Sequence, residues 1–157
     1  PVVLVAEPGD EREAAMRLGR IGFDDVRGFL EGGMAALRDR PELVASGERV
    51  SAVELQEALT KEDGLLLLDV RTPSEWEGGH VEGSLNIPLA ELTARMGEVP
   101  RDRALAVMCQ SGYRSSLASS LLGREGIEGV VDAVGGIAAW GASGLPVTEV
   151  SAGGGGG

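Results

Sequence analysis

The chain has 157 residues, with 14 basic and 25 acidic side chains and a formal charge of −11 at neutral pH. That balance repels nucleic acid and anionic membrane alike, so neither is expected as a partner. One cysteine excludes an internal disulfide, and one cysteine with one histidine is too little for a structural metal site. No cofactor is implied, and the 43% hydrophobic content suffices for one domain with a real core and some chain left over.

Pro1-Val-Val-Leu-Val-Ala6 is apolar but short and lacks a basic flank, so it reads as a strand and not as a secretory signal. No apolar run approaches the roughly 18–20 residues of a membrane-spanning helix, which predicts a soluble chain. The absent initiator methionine is read as the mark of a fragment or a processed chain. Val3 to Leu37 resembles Ala106 to Trp140. Gly9 pairs with Gly112 and Gly33 with Gly136 at one spacing, and Gly22 with Gly126 one residue out of step between them. Both stretches run from an apolar strand through a Gly-bearing loop, an Ala-rich helix and a second strand to Gly-Gly, an apolar residue and Ala-Ala. In this alignment Cys109 faces Ala6, and Cys109 to Arg114 faces Ala6-Glu-Pro-Gly-Asp-Glu11. Glu7, Asp10 and Glu11 would repel an anion or a thiolate. Residues 1–40 therefore read as half a repeat without a nucleophile. Half a domain cannot cover both faces of its sheet, so it is expected to pack on another unit or remain partly mobile.

Residues 41–49, polar with Pro41 and Gly47, read as a linker. Residues 50–148 form the complete domain. Ser51-Ala-Val-Glu54 is a capping-box pattern that opens a helix through Leu55 and Leu59. Leu65 to Val70 reads as a short buried strand, with Asp69 and Arg71 at its end. Thr72-Pro-Ser-Glu75-Trp76 is a capped helical turn, in which Trp76 either lines a pocket mouth or, as favoured, covers core. His80 invites the role of a general base. Asn86-Ile-Pro88 leads into a helix through Leu89, Leu92 and Met96.

Leu105 to Met108 is continuously apolar, as a strand buried on both faces should be, and the helix predicted from Ser115 to Leu122 follows the turn Cys109 to Arg114. A cysteine at that junction lies in the field of a helix N-terminus, which favours the thiolate, and Arg114 adds to the effect if it turns inward. Gly112 lets successive amides point at one centre, the nest geometry that holds anions. A lone cysteine often only fills space, but this placement favours a nucleophile. Leu117, Leu121 and Leu122 are predicted to pack this helix on the sheet. Val130 to Val134 reads as a strand, Gly135-Gly136 as a turn, and Trp140 as the anchor of a last helix stopped by Pro146. Residues 149–157, closing on five glycines, are expected to form a flexible tail, natural or added.

Cys109-Gln-Ser-Gly-Tyr-Arg114-Ser115, Leu68-Asp69-Val70-Arg71 with Glu75, Gly79-His80-Val81-Glu82-Gly83-Ser84, and Gly135-Gly136-Ile137 with Trp140 together resemble a rhodanese domain from about Val50 to Val147. The resemblance implies an α/β fold, a mostly parallel central sheet with helices on both faces. It implies a sulfurtransferase whose Cys109 takes a sulfane sulfur from a small-molecule donor and passes it to a thiol or cyanide. Gln110, Ser111, Gly112, Tyr113, Arg114 and Ser115 would form the persulfide-binding loop. Asp69 and Arg71 would brace it as a structural ion pair or touch substrate directly, and His80 would be an architectural turn. Only four residues separate Cys109 from Arg114, where related phosphatases have five, and the smaller ring suits one sulfur better than a phosphate. A reduced thiol fits a reducing compartment, the cytoplasm. Many members that use thiosulfate carry basic residues after the cysteine. Gln110 and Ser111 depart from that and point to a low-charge persulfide donor. The tandem is similar to the C-terminal part of metallo-β-lactamase/rhodanese fusions of the persulfide dioxygenase kind. Its expected partners are upstream domains of the same protein or a second copy in a homo-oligomer. The alternative is a non-catalytic binding or regulatory module.

Overall fold

A computed structural model describes residues 1–44, 47–61 and 64–150, and within it the chain divides into two compact units, Pro1–Ser46 and Gly47–Gly157. The first unit holds strand β1 (Val2–Leu4), helix α1 (Glu11–Gly19) and strand β2 (Val26–Phe29), followed by 3-10 turns at Gly33–Leu37 and Pro41–Leu43. β1 and β2 pair in parallel as a two-stranded sheet, and α1 buries none of its residues. Leu4 is the buried apolar side chain of this unit, whereas Val3, Val5, Phe23, Phe29 and Met34 are exposed. The left-handed glycines fall at corresponding places in the two compared stretches: φ is 102° at Gly9 and 100° at Gly112, 78° at Gly32 and 73° at Gly135, and 57° at both Gly33 and Gly136.

The second unit runs β3 (Glu48–Val50), α2 (Ala52–Thr60), β4 (Leu66–Asp69), α3 (Pro73–Glu77), β5 (Leu85–Asn86), α4 (Leu89–Leu92), β6 (Leu105–Met108), α5 (Tyr113–Arg124), β7 (Val130–Ala133) and α6 (Gly136–Ala142). The five strands form one parallel sheet in the order β3-β7-β6-β4-β5. β6 lies at its centre. All four of its residues are buried, as expected of a strand covered on both faces. Leu68, Val70, Val107, Ala118 and Leu122 belong to a core on the side of α5, and Leu55, Leu67, Ala106, Met108 and Trp140 to one on the side of α2 and α6. Helices thus cover both faces, and the α/β architecture is as anticipated. Among the described residues no helix is long and apolar enough to cross a membrane.

Several local expectations are corrected. β3 begins inside the predicted linker 41–49. As an edge strand it tolerates polar residues, and Arg49 reaches Asp132 on β7 at 3.5 Å. Ala45 and Ser46 of that linker lie outside the described residues. The helix predicted through Met96 stops at Leu92 and resumes as a 3-10 turn at Met96–Glu98, where Gly97 and the approach to Pro100 disfavour α-helix. Leu117 is exposed, because the buried stripe of α5 is Ser115, Ala118 and Leu122, small residues that let the helix lie close to the sheet. α6 ends at Ala142, before Pro146, and Gly144 turns left-handed to cap it. The Pro146 carbonyl instead accepts the Trp140 indole N–H at 2.8 Å. Of the expected tail, Val150 donates its N–H to the Glu77 carbonyl at 3.0 Å, and residues 151–157 lie outside the described residues.

Candidate active site

β6 delivers Cys109 to the carboxyl edge of the sheet, and the chain turns there into α5. Gly112, at φ 100°, lets the turn close in so few residues, and the helix starts at Tyr113, two residues earlier than predicted. Tyr113 and Arg114 therefore belong to the first helical turn. Two carbonyls of the loop are drawn away from the sulfur by the N-terminus of α6: Ile137 N–H donates to the Cys109 carbonyl at 2.8 Å and Ala138 N–H to that of Gln110 at 3.1 Å. The approach is close enough that a Cβ on Gly136 would lie 2.1 Å from the Cys109 oxygen. With the carbonyls turned out, the amides face in, and Gly112 N–H donates to Cys109 Sγ at 3.1 Å.

The thiol itself is 1% exposed. It donates to Ser115 Oγ at 3.6 Å, and that hydroxyl donates to the Gly112 carbonyl at 3.1 Å. Burial pushes the Cys109 thiol up, but its hydrogen bond with the Ser115 hydroxyl and those from the amides of Ser115, Ser111 and Gly112 push it down further, so its pKa lies below the ordinary value. Gln110, Ser111 and Tyr113 are exposed at the rim of the loop, and Ser115 is buried beneath it. Of the six loop positions named from the sequence, Ser111, Gly112 and Ser115 hydrogen-bond the sulfur, while Gln110 and Tyr113 are exposed and Arg114 turns to another partner.

Arg114 is the main departure. Its guanidinium is not free to act on the sulfur as an unpaired cation. Nη1 and Nη2 donate to Glu75 Oε2 and Oε1 at 2.8 and 2.7 Å, a two-pronged pair across 39 residues of sequence. The hydrogen-bonded guanidinium outweighs partial burial and holds the Glu75 carboxyl well below the usual carboxylate range. Glu75 also accepts from the Thr72 backbone at 3.0 Å and hydroxyl at 2.8 Å, closing the capping box of α3. Sequence reasoning placed Glu75 within a motif and a helical cap and gave it no role at the site. The capping pattern Thr72-x-x-Glu75 explained the residue locally, so nothing pointed to its distant partner.

Asp69 and Arg71 lie beneath this, both buried. Arg71 Nη2 donates to Asp69 Oδ2 at 2.6 Å and to the Gly79 carbonyl at 2.8 Å, while Nη1 donates to the Glu75 carbonyl at 3.1 Å. Asn86 on β5 donates to the Asp69 and Arg71 carbonyls at 2.9 and 3.0 Å, a role the sequence did not suggest. The ion pair therefore fixes α3, and α3 in turn holds Arg114. Trp76 is half-buried, not core: its ring stacks on His80 at 3.6 Å, and its indole N–H donates to Ser84 Oγ at 2.9 Å. His80 pairs by its backbone with Thr148, and its Nδ1 lies 2.9 Å from the Trp76 carbonyl, so the residue joins turns to the chain end.

Residues 51–143, more than half of the chain, match the rhodanese-like domain family. The chain belongs to that family. A sulfurtransferase of Allochromatium vinosum is 36% identical over 98 residues, which are 62% of this chain and 92% of that protein. A protein of Arabidopsis thaliana named thiosulfate sulfurtransferase 16, chloroplastic, is 37% identical over 94 residues, 50% of this chain and 76% of its own. The crystal structure of a rhodanese-related protein from Thermoplasma volcanium superposes with a TM-score of 0.60 at 36% identity, covering 64% of this chain and 97% of that one. Other curated relatives are matched over only a quarter to three fifths of their length. In this rhodanese-like chain the matched region lies inside the second unit and contains every site residue described above.

Proposed function

We propose that the chain is a sulfurtransferase that carries one sulfur atom on Cys109. The observation that supports this most directly is the set of loop amides directed at Sγ, with the Gly112 N–H 3.1 Å away. Such donors stabilise negative charge on sulfur in both halves of a transfer, and they do so without reorganising. In the first half the Cys109 thiolate attacks the outer sulfur of a donor persulfide, RSSH. The new S–S bond forms as the old one breaks, and the donor leaves as the thiolate RS⁻ while Cys109 becomes the persulfide. Thiosulfate reacts in the same way and leaves as sulfite. In the second half an acceptor thiolate attacks the outer sulfur and departs as its own persulfide, restoring the Cys109 thiolate; cyanide departs as thiocyanate. Gln110 and Ser111 bring no positive charge to the rim, so a low-charge persulfide is the favoured donor and thiosulfate the slower one. Gly112, Ser111 and Ser115 bind the carried sulfur, Tyr113 borders the entrance, and Asp69 and Arg71 position the segment that supports the loop.

Mass spectrometry of the intact chain after exposure to glutathione persulfide or thiosulfate tests the reading. A gain of one sulfur that disappears in Cys109→Ser supports transfer. No gain in the unaltered chain leaves a docking module.

We also read residues 1–40 as the second half of an inactive repeat. The reading is supported by the matched left-handed glycines. A Cβ at Gly33 would meet the Ala6 carbonyl at 2.3 Å, as one at Gly136 would meet that of Cys109. Ala6 stands where the nucleophile would be. The exposed apolar residues of this unit suit a partner, either upstream chain or a second copy, and sedimentation of the whole chain distinguishes a dimer from a monomer.

A further inference from the structure

Among residues 109–115 the only charged side chain is Arg114, so the one full positive charge that the loop adds to its amides for an anionic donor is this guanidinium. That charge is already engaged by both oxygens of Glu75. The carboxylate is itself held in place from three directions: by the Thr72 amide, by the Thr72 hydroxyl and, through its own backbone carbonyl, by Arg71 Nη1. Arg71 is buried against Asp69. Glu75 therefore cannot swing away when a donor arrives without breaking the cap of α3. A cation and an anion fixed 2.7 Å apart present almost no net charge to a third group several ångströms away.

We propose that Glu75 is a specificity-determining positioning residue, which neutralises Arg114 and so biases the loop against dianionic donors and toward persulfides of lower charge. The inference rests on the sulfur-transfer reading and adds a cause for its donor preference that lies outside the loop. Glu75 touches neither the thiol nor the donor and acts through Arg114.

The test is the ratio of kcat/KM for thiosulfate to that for glutathione persulfide in the unaltered 157-residue chain and in Glu75→Gln. Glutamine keeps an acceptor for Thr72 and for one Arg114 nitrogen but removes the negative charge. The ratio is expected to rise roughly three- to tenfold, the size of one uncovered charge acting on one extra donor charge at about 6–8 Å in a wet site. The gain should shrink toward unity at high salt, and it should vanish when Arg114→Gln is added to Glu75→Gln. A loss of support for the loop would slow both donors alike and would not depend on salt. An unchanged ratio, or an equal fall for both donors, overturns the assignment of Glu75 while leaving sulfur uptake on Cys109 intact. Failure of the unaltered chain to take up sulfur from either donor overturns the transfer reading and this one with it. A measurement on the unaltered chain serves if the variant does not fold. Its kcat/KM for thiosulfate should not fall as salt rises, and a steep fall would reveal an uncompensated cation and refute the proposal.

Discussion

At Cys109 two opposing effects decide the chemistry. Burial in the α5-side core disfavours a thiolate, and the amides of Ser111, Gly112 and Ser115 with the Ser115 hydroxyl favour it. The second effect wins, so the rate of iodoacetamide alkylation should rise with pH through an inflection below that of an unperturbed thiol measured alongside it. Ser115→Ala should move that inflection upward, because the desolvation remains while the side-chain hydrogen bond with the sulfur is lost. The amides face the sulfur only because Gly136 allows α6 to reach the Cys109 carbonyl. Gly136→Ala meets both a left-handed backbone, costing about 1–2 kcal/mol, and a Cβ 2.1 Å from a carbonyl oxygen. It should lower the urea midpoint and abolish sulfur uptake together, whereas Gly123→Ala, in open space on α5, should do neither. A lone cysteine in a sequence is only a candidate. Its position at the end of an unbroken apolar strand, before Gly112, was legible; the outward turn of its carbonyl was not, since that depends on a helix that begins 27 residues later.

Among the elements, α3 is short and none of its residues is buried, yet it joins β4 to the loop. Its support is the buried pair Asp69–Arg71. Asp69→Ala would strand a guanidinium at 3% exposure and should cost about 3–5 kcal/mol in urea unfolding, and replacing both residues by apolar ones of similar size should recover much of that. The Glu75–Arg114 pair is about one third exposed, so solvent screening limits its worth to about 1 kcal/mol. Because folding lowers the Glu75 pKa, its contribution is complete above the unfolded value of about 4.3 and is lost as pH falls below that. The difference in urea stability between Glu75→Gln and the unaltered chain should therefore be present at pH 7 and narrow progressively from pH 4 downward. The capping boxes at Ser51 and Thr72 were readable because a cap is a local bargain between residues three apart. The bond from Glu75 to Arg114 crosses between elements, and a local pattern that already accounts for a residue hides a second role.

For the molecule as a whole, the family match and the five-stranded sheet both fall within residues 47–150. A fragment starting at Gly47 is expected to fold, to keep the urea midpoint of the second unit, and to accept sulfur on Cys109 at the rate of the full chain. A fragment that stays unfolded would show that the first unit is needed. The sequence by itself determined the α/β class, the strands β4, β6 and β7, the place of the lone cysteine at the end of β6 with the loop after it, and the likeness between residues 3–37 and 106–140. Those follow from apolar runs, glycine positions and caps, which act over a few residues and leave a trace in composition. Only the tertiary structure decided that Arg114 is paired with Glu75, that Trp76 stacks on His80 outside the core, and that the polar stretch 48–50 is an edge strand. Each depends on which distant group happens to lie opposite a side chain, and charge or polarity read along a chain cannot tell a free group from a paired one.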